Sequence, residues 1–532
     1  MNETAASGVP RVGRSDGAPP TVARPEEEPR RTAPLSVLVG TLQSAQGAIL
    51  PAIFIAFSTG SSGLLIGLAA GFALAAIGAL FSWIAWRRLT YTIRAQDIRV
   101  ESGVLSRSAR SVPYERIQDV SLEQSLVPRL FGLVAVKFET GAGGGEDLSL
   151  SFLREEQGEE LRQLVRARRD EAESGATPGA PVTEARAEEP AQPLFTMGPR
   201  RIFTFGLFEF SLAVFAVLGG LLQTASSFVD FEIWDPDIWQ VFFEDQADTV
   251  AALGPDAQVV SAIAGLIGVF LIGSATGIVR TFTREWGFLL ERTPRGFRRR
   301  RGLFTRTDVV MPIHRVQGLK IGTRAIRYRF GWHGLRFVSL AQDSGAANHV
   351  VAPFARMDEI EPIVEASGFH LPDDRTDWHR ASRKYMFDRA LIEAATILLL
   401  GIVAWAIFLA VLPDWSDVVL GAALILSGLS ALAQVLGWRY RRHALDASQI
   451  MARGGILSPK SQIATRLKLH SVEIAQGPIA RLRGYATLHL GQAGGIFAIP
   501  GVPVARAREV RRLVLDTIAA TDFSQLESQQ AA

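Results

Sequence analysis

The chain has 532 residues, of which 48% are apolar types, with 56 Lys plus Arg against 53 Asp plus Glu and no cysteine. That length exceeds one ordinary domain, and the near balance of charge gives net charge no weight as an argument for nucleic-acid binding. The absence of cysteine removes disulfides, thiolate metal sites and cysteine nucleophiles together.

Residues 1–34 are rich in Pro, Gly, Glu and Arg and hold no apolar core before Leu35, so they read as a disordered cytosolic tail without a secretory signal. Six apolar stretches follow along the chain, at about 36–57, 63–85, 203–225, 258–279, 390–412 and 418–437. Each is close to the ~20 residues that cross a bilayer. They fall into three hairpins, 35–86, 200–285 and 386–438. The first stretch is the least apolar, with Gln43, Gln46 and Pro51 inside it. Arg87, Arg88, Arg200, Arg201, Arg280, Arg284, Arg383, Lys384, Arg389, Arg439, Arg441 and Arg442 flank one side. The opposite loops, 58–62, 226–257 and 413–417, hold no Lys or Arg. This bias predicts that both termini and the segments between hairpins are cytoplasmic. The acidic loop 226–257 also carries Trp234, Trp239, Phe242 and Phe243, which reads as an interfacial segment in preference to an extracellular binding element. Glu209 and Glu393, near helix starts, are expected at the bilayer interface.

After each hairpin one block recurs, from Trp86 to about Val165, from Trp286 to about Val364 and from Trp438 to about Leu515. In the first copy the runs LTYTI, IRVESGVL, SARSVP, IQDVSLE, LVAVKFET and DLSLSFL alternate as strands do, and turn residues separate them. REEQGEELRQLVRARR then has helical periodicity without breakers. The block predicts a small antiparallel barrel or sandwich capped by one helix, with domains at 87–170, 286–370 and 439–520. A disordered linker is expected at 171–199 and a polar tail at 521–532.

The copies share landmarks. Gly103, Gly302 and Gly455 occupy one slot, and Pro113 and Pro312 another, where the third copy has Thr465. Arg116, Arg315 and Lys468 align, as do Gln118, Gln317 and His470, and Gly132, Gly331 and Gly484 close RLFG, YRFG and RLRG. With these motifs, SGVLSR…VPYERIQDVSLEQSLVPRLFGLVAVKFETG resembles the bacterial pleckstrin-homology-like membrane domain of the YdbS/YdbT type. The resemblance covers most of the chain outside the tail, the linker and the 226–257 loop, and is weakest in the third copy. It implies a bent antiparallel sheet capped by a helix, and no catalytic residues. The expected fold is thus an α+β membrane protein, with about six spans in three hairpins and three cytosolic PH-like domains.

The aligned glycines, prolines, glutamines and basic residues read as structural landmarks. Gly103, Gly302 and Gly455 suit hairpin positions that need positive φ. Arg116, Arg315 and Lys468 are placed on solvent-facing strands, where a stem packed on the domain is favoured over a ligand contact. The run Arg298, Arg299, Arg300 and Arg301 is different: four adjacent cations suggest no packing purpose, and the preferred reading is contact with anionic lipid head groups.

No constellation signals catalysis, a cofactor or a metal. GAGGGED (141–147) lacks the Lys-Ser/Thr and helix of a phosphate loop, the histidines, His314 and His333 included, show no ligand spacing, and GxSxG is absent. The expected function is a non-enzymatic scaffold or binding module of the bacterial cytoplasmic membrane. Its expected partners are the bilayer, anionic head groups, other membrane proteins or a second copy, and no nucleic acid. The alternative is a transport or export component in which the domains regulate a six-helix bundle. A membrane lipid enzyme would have only Glu209, Glu393 and His443 to draw on.

Overall fold

The computed structural model describes residues 29–58, 63–140, 148–173, 191–211 and 255–520, apart from 105, 295, 344–345 and 494. Each repeat begins before its hairpin. In the first, strand β1 (Arg30–Arg31) leads into helices α1 (Ser36–Ser58) and α2 (Gly63–Arg88). The chain returns as β2 (Thr90–Ile93), β3 (Asp97–Ser102) and β4 (Ser108–Pro113). Then come β5 (Ile117–Gln124), the one-turn helix α3 (Leu126–Leu130), β6 (Leu133–Thr140), β7 (Leu148–Arg154) and the closing helix α4 (Glu155–Glu173). Because β1 pairs with β2, the hairpin is an insertion in the first strand connection of the soluble unit.

The second repeat follows the same order. It runs β8 (Gln192–Thr196), α5 (Pro199–Leu207), α6 (Pro255–Glu285), β9 (Leu289–Thr293), β10 (Gly296–Arg301), β11 (Arg306–Met311) and β12 (Gly318–Gly322). It ends α7 (Ala325–Arg329), β13 (His333–Asp343), β14 (Ala346–Ala355) and α8 (Met357–Ala366). The third is β15 (His379–Arg380), α9 (Arg383–Val411), α10 (Pro413–Trp438), β16 (Arg442–Leu445), β17 (Gln449–Gly454), β18 (Lys460–Thr465) and β19 (Leu469–Ala475). It closes with α11 (Pro478–Arg483), β20 (Tyr485–Gln492), β21 (Gly495–Pro503) and α12 (Val504–Ala520).

Two expected boundaries need correction. Arg30–Arg31, in the expected tail, and Gln192–Thr196, in the expected linker, are strands of the first and second soluble units. Strands of two and five residues carry too little alternation to stand out from polar surroundings, and their partners lie a whole hairpin later in sequence. The tryptophan that opens two of the blocks ties this arrangement shut. Trp86 Nε1 donates to Thr32 O at 3.0 Å and Trp438 Nε1 to Ala381 O at 2.6 Å, so the end of each hairpin is pinned to its beginning.

Among the described residues, five helical segments, 36–53, 63–88, 259–285, 383–411 and 413–438, are long and apolar enough to cross a membrane. The most apolar window of α2 has mean hydropathy 2.4 with 6% of it buried, a surface that only lipid would cover. Small residues let the paired helices approach closely. A side chain at Gly67 would collide with Ala56, and one at Gly401 with Ala423. Of the stretch 203–225, α5 carries the start; most of it, and the loop up to 254, lies outside the described residues.

The soluble units share their sheets. The strand orders are β1-β2-β3-β4, then β7-β6-β5-β11-β10-β9-β8, then β14-β13-β12-β18-β17-β16-β15, and finally β19-β20-β21. Each unit is therefore a four-stranded sheet facing a three-stranded sheet, capped by a helix, and each middle sheet is built from two consecutive units. At the first joint, Asp308 lies opposite Leu122 and Thr307 opposite Glu123. At the second, Gly318 to Gly322 pair with Ala464 to Lys460. Core packing follows the sheets: Met451 and Ile463 of the third unit, each 2% exposed, belong to the core around Phe337 and Leu335 of the second. Continuous sheets join all three soluble units to one another.

Asp308 is the polar centre of the first joint. It accepts from Arg298 at 2.5 Å, and Arg162 of α4 stands 3.6 Å away with 4% of its side chain exposed. Burial pushes the carboxyl up, but the hydrogen bond and charge of Arg298, with Arg162 and Arg300, outweigh it and hold the carboxyl below its usual range. Asp308→Asn leaves two cations facing each other across the joint, and we expect a loss of about 3 kcal/mol, read as faster hydrogen exchange in β5 and β11 while β13 and β14 stay protected. Gly401→Leu overpacks the third hairpin, with an expected loss of about 1–3 kcal/mol in thermal unfolding of the detergent-solubilised protein.

Candidate membrane interface

The one-turn helices α3, α7 and α11 occupy the same slot in all three units and end on the aligned glycines. Gly132, Gly331 and Gly484 have φ of 65°, 74° and 78°, the left-handed conformation that closes such a turn. Each helix presents large apolar side chains outward. Leu130 is 75% exposed, Phe330 59% and Leu482 92%, with Ile326, Tyr328 and Ile479 also exposed. Arginines surround these tips: Arg129 at the first, Arg324 and Arg329 at the second, Arg481 and Arg483 at the third, all exposed. A single exposed leucine is unremarkable on a protein surface, but the same apolar-plus-arginine tip in three equivalent places calls for an explanation.

Each tip is fixed beside the start of its hairpin. Val127 and Phe131 pack on the cluster that contains Val39 of α1. Arg483 bonds Asp388 in the first turns of α9 at 3.2 Å. Arg327 pairs with Glu209, just after α5, and Arg324 lies 3.6 Å from the same carboxylate. The Arg327 guanidinium also sits 4.7 Å from the Phe205 ring centroid. Burial, with Arg336 nearby, pulls Arg327 down to about 10, which leaves it charged at neutral pH. A second apolar tip stands near the other end of the second and third hairpins, in the turn before the fourth strand. Phe304 is 47% exposed and Leu457 70%, while Gly302 N donates to Trp286 O, just past α6, at 2.8 Å. Gly103, Gly302 and Gly455, with φ of 123°, 112° and 96°, make this turn, where a side chain would collide with the carbonyl of Ser106, Thr305 or Ser458. The tips thus bracket the level at which the hairpins leave the soluble array. Sequence reading aligned RLFG, YRFG and RLRG but found no helix there; the available signal was an apolar residue beside arginine in all three.

The arginine run lies elsewhere. Arg298 to Arg301 form most of β10, in the interior of a seven-stranded sheet, where successive side chains alternate between faces. Arg298 pairs with Asp308 and Arg300 with Glu291 at 2.9 Å. Arg299, 2% exposed, donates to Val350 O at 2.9 Å, and Arg301 stands 3.3 Å from Glu285, which is itself 1% exposed. The expectation that these cations serve no packing purpose is corrected: each bonds a neighbouring strand, the facing sheet or, for Arg301, the end of α6. Beside them, a cleft of about 490 Å³ sets Glu155, Glu156, Glu159 and Glu160 of α4 against Arg298, Arg300 and Arg306.

The aligned basic residues sit in short 3₁₀ turns, 114–116, 313–315 and 466–468, directly before β5, β12 and β19, and not on strands as expected. Pro113, Pro312 and Thr465 precede these turns with nearly the same backbone, so the third copy keeps the conformation without proline. Arg116 is exposed. Lys468 reaches across the second joint to donate to Val316 O at 2.7 Å, and burial pulls its amine down to about 8. Gln317 donates to Arg315 O at 3.3 Å, while the Gln118 side chain is outside the described set.

The three groups considered for lipid chemistry are separated by their partners. Glu209 holds Arg327, Glu393 pairs with Arg389 in α9, and His443 lies 2% exposed in β16. Burial, then His379 and Arg506, pull His443 down to about 4. Its folded value lies below its ordinary 6.5, so the unfolded chain binds the proton first and stability falls as pH drops from about 6.5 to about 4. Unfolding of the third unit should lose about 2–3 kcal/mol over that window, and His443→Phe should flatten the dependence in a pH series of thermal melts.

Helices long and apolar enough to cross a membrane, joined to fused antiparallel sandwiches, define a membrane protein built from repeated helix-capped β-units. The bacterial PH domain family matches the chain three times, over 38–169, 245–367 and 393–518, and the chain belongs to that family. The first match begins inside α1 and the third inside α9, so these two include part of the hairpin together with the soluble unit. Among curated proteins, the transmembrane protein YdbT of Bacillus subtilis (strain 168) is 26% identical over 340 residues, which cover 59% of this chain and 63% of that relative. The chain thus matches less than two thirds of the relative's length. No solved structure matches.

Proposed function

We propose that this protein is a non-enzymatic scaffold of the bacterial cytoplasmic membrane, which lays a stiff three-unit PH-like array against the anionic cytosolic leaflet. The observation that carries this reading is the exposed apolar tip ringed by arginine that recurs in α3, α7 and α11 beside the hairpins. Leu130, Phe330 and Leu482 enter the head-group region, and the neighbouring arginines meet acidic lipid, each for about 1 kcal/mol. Positive-inside bias supports the cytosolic side, since the basic flanks lie at the hairpin ends that join the array. Glu209, Glu393 and His443 each have a structural role, which supports a function without catalysis.

The test places a fluorophore at the third tip. Leu482→Trp in full-length protein in nanodiscs is read against the same protein without the substitution. Lipids brominated near the head group should quench the added emission strongly, and detergent without them should not. Arg481→Gln with Arg483→Gln should reduce the anionic lipid retained in native mass spectrometry. Added emission untouched by brominated lipid would reject the membrane-contact reading.

A further inference from the structure

The three units are joined by one rule applied twice. The fourth strand of a unit pairs with the fifth strand of the unit before it: β11 with β5, and β18 with β12. The register is the same at both joints. In the frame of the repeat, Thr307 against Glu123 and Lys460 against Gly322 are one position, and Asp308 against Leu122 and Ser461 against Ile321 are the next. The rule leaves two ends. Among the described residues, β4 of the first unit closes one sheet and β19 of the third closes another. These are the two complementary halves of a third joint.

Both ends are built as joint strands without an occupant. β4 has six residues and β19 seven; the one proline, Pro113, is the last residue of β4 and lies beyond the Ser108–Ser111 stretch that would pair. Ser108, Ala109, Arg110 and Ser111 are all exposed, whereas of the equivalent Lys460 to Ile463 of β18 only Lys460 is exposed. β19 likewise exposes Ser471 and Glu473, where β12 of the second joint has Gly318 buried and Lys320 half-buried. Carrying the register of the two joints onto these strands sets Ser108 opposite Ala475, Ala109 opposite Ile474, Arg110 opposite Glu473 and Ser111 opposite Val472. The one pair of charges in this set is of opposite sign, an arrangement that favours pairing, where like charges would oppose it.

We infer that a second copy of this chain completes the joint: β4 of one molecule adds to β19 of another, head to tail. Main-chain hydrogen bonds supply the attraction, as in other cases of strand addition, and the Arg110–Glu473 pair fixes the register. The interface is heterologous, so it propagates as a ring or as an open row, and the hairpins confine either form to the plane of the membrane.

The chain has no cysteine, which makes the test direct. Full-length Arg110→Cys/Glu473→Cys is oxidised mildly in native membranes and run without reductant. A ladder of dimer, trimer and larger species is expected, whereas co-expressed single variants should stop at dimer. A monomer-only pattern, a product with a different protein, or Arg110→Cys linking to itself as well as to Glu473→Cys overturns the inference. A second series uses Ser111→Cys/Val472→Cys as reporter. Arg110→Glu should cut its ladder by about fivefold, and Arg110→Glu with Glu473→Arg should restore it. A ladder indifferent to both reversals rejects the register. Lipid contact at Leu482 is read separately, so either proposal can fail alone.

Discussion

The architecture depends on strand pairing between consecutive units. Backbone N–H and C=O groups at a sheet edge need partners, and in this chain the neighbouring repeat supplies them. The consequence is mechanical. A sandwich tethered by a flexible linker would be free to reorient, whereas units that share a seven-stranded sheet and part of a hydrophobic core move together. Asp308 with its arginines, and Lys468 bonded to Val316 O, add side-chain contacts at the two joints. The joints are therefore stiffer than flexible tethers would be, because the units share continuous sheets.

That stiffness bears on how weak contacts add. A single tip such as Leu482 with Arg481 and Arg483 contributes little to binding a bilayer that the hairpins already cross. Under the proposed function, three tips on one array would fix its tilt, because raising one lowers another. In that reading lipid contact would serve orientation more than affinity, since apolar helices already supply the attachment.

Much of this was legible in the residues and some was not. Hydropathy marked the described spans, and alternation placed β2 to β7 almost where they lie, because both signals are local and long enough to repeat. Gly103, Gly302 and Gly455 have the positive φ that suits a hairpin position, a property of one residue that a sequence can signal. The arginine run misled: Arg298 to Arg301 look like a solvated charge cluster until Asp308, Glu291 and Glu285, on other elements, come into place. The strands β1, β8 and β15 were invisible because their partners lie beyond an inserted hairpin. The joints were hidden for a related reason. An edge strand that pairs with another unit has the same alternation as one that faces water, so periodicity alone does not reveal its neighbour.

The insertion of each hairpin between the first two strands of its unit has a bearing on biosynthesis. β1 leaves the ribosome ahead of α1 and α2, yet its partner β2 follows them. The first and third soluble units cannot close their first strand pair until the whole of an intervening hairpin has been made, so a short strand must wait for its partner while two long apolar helices emerge.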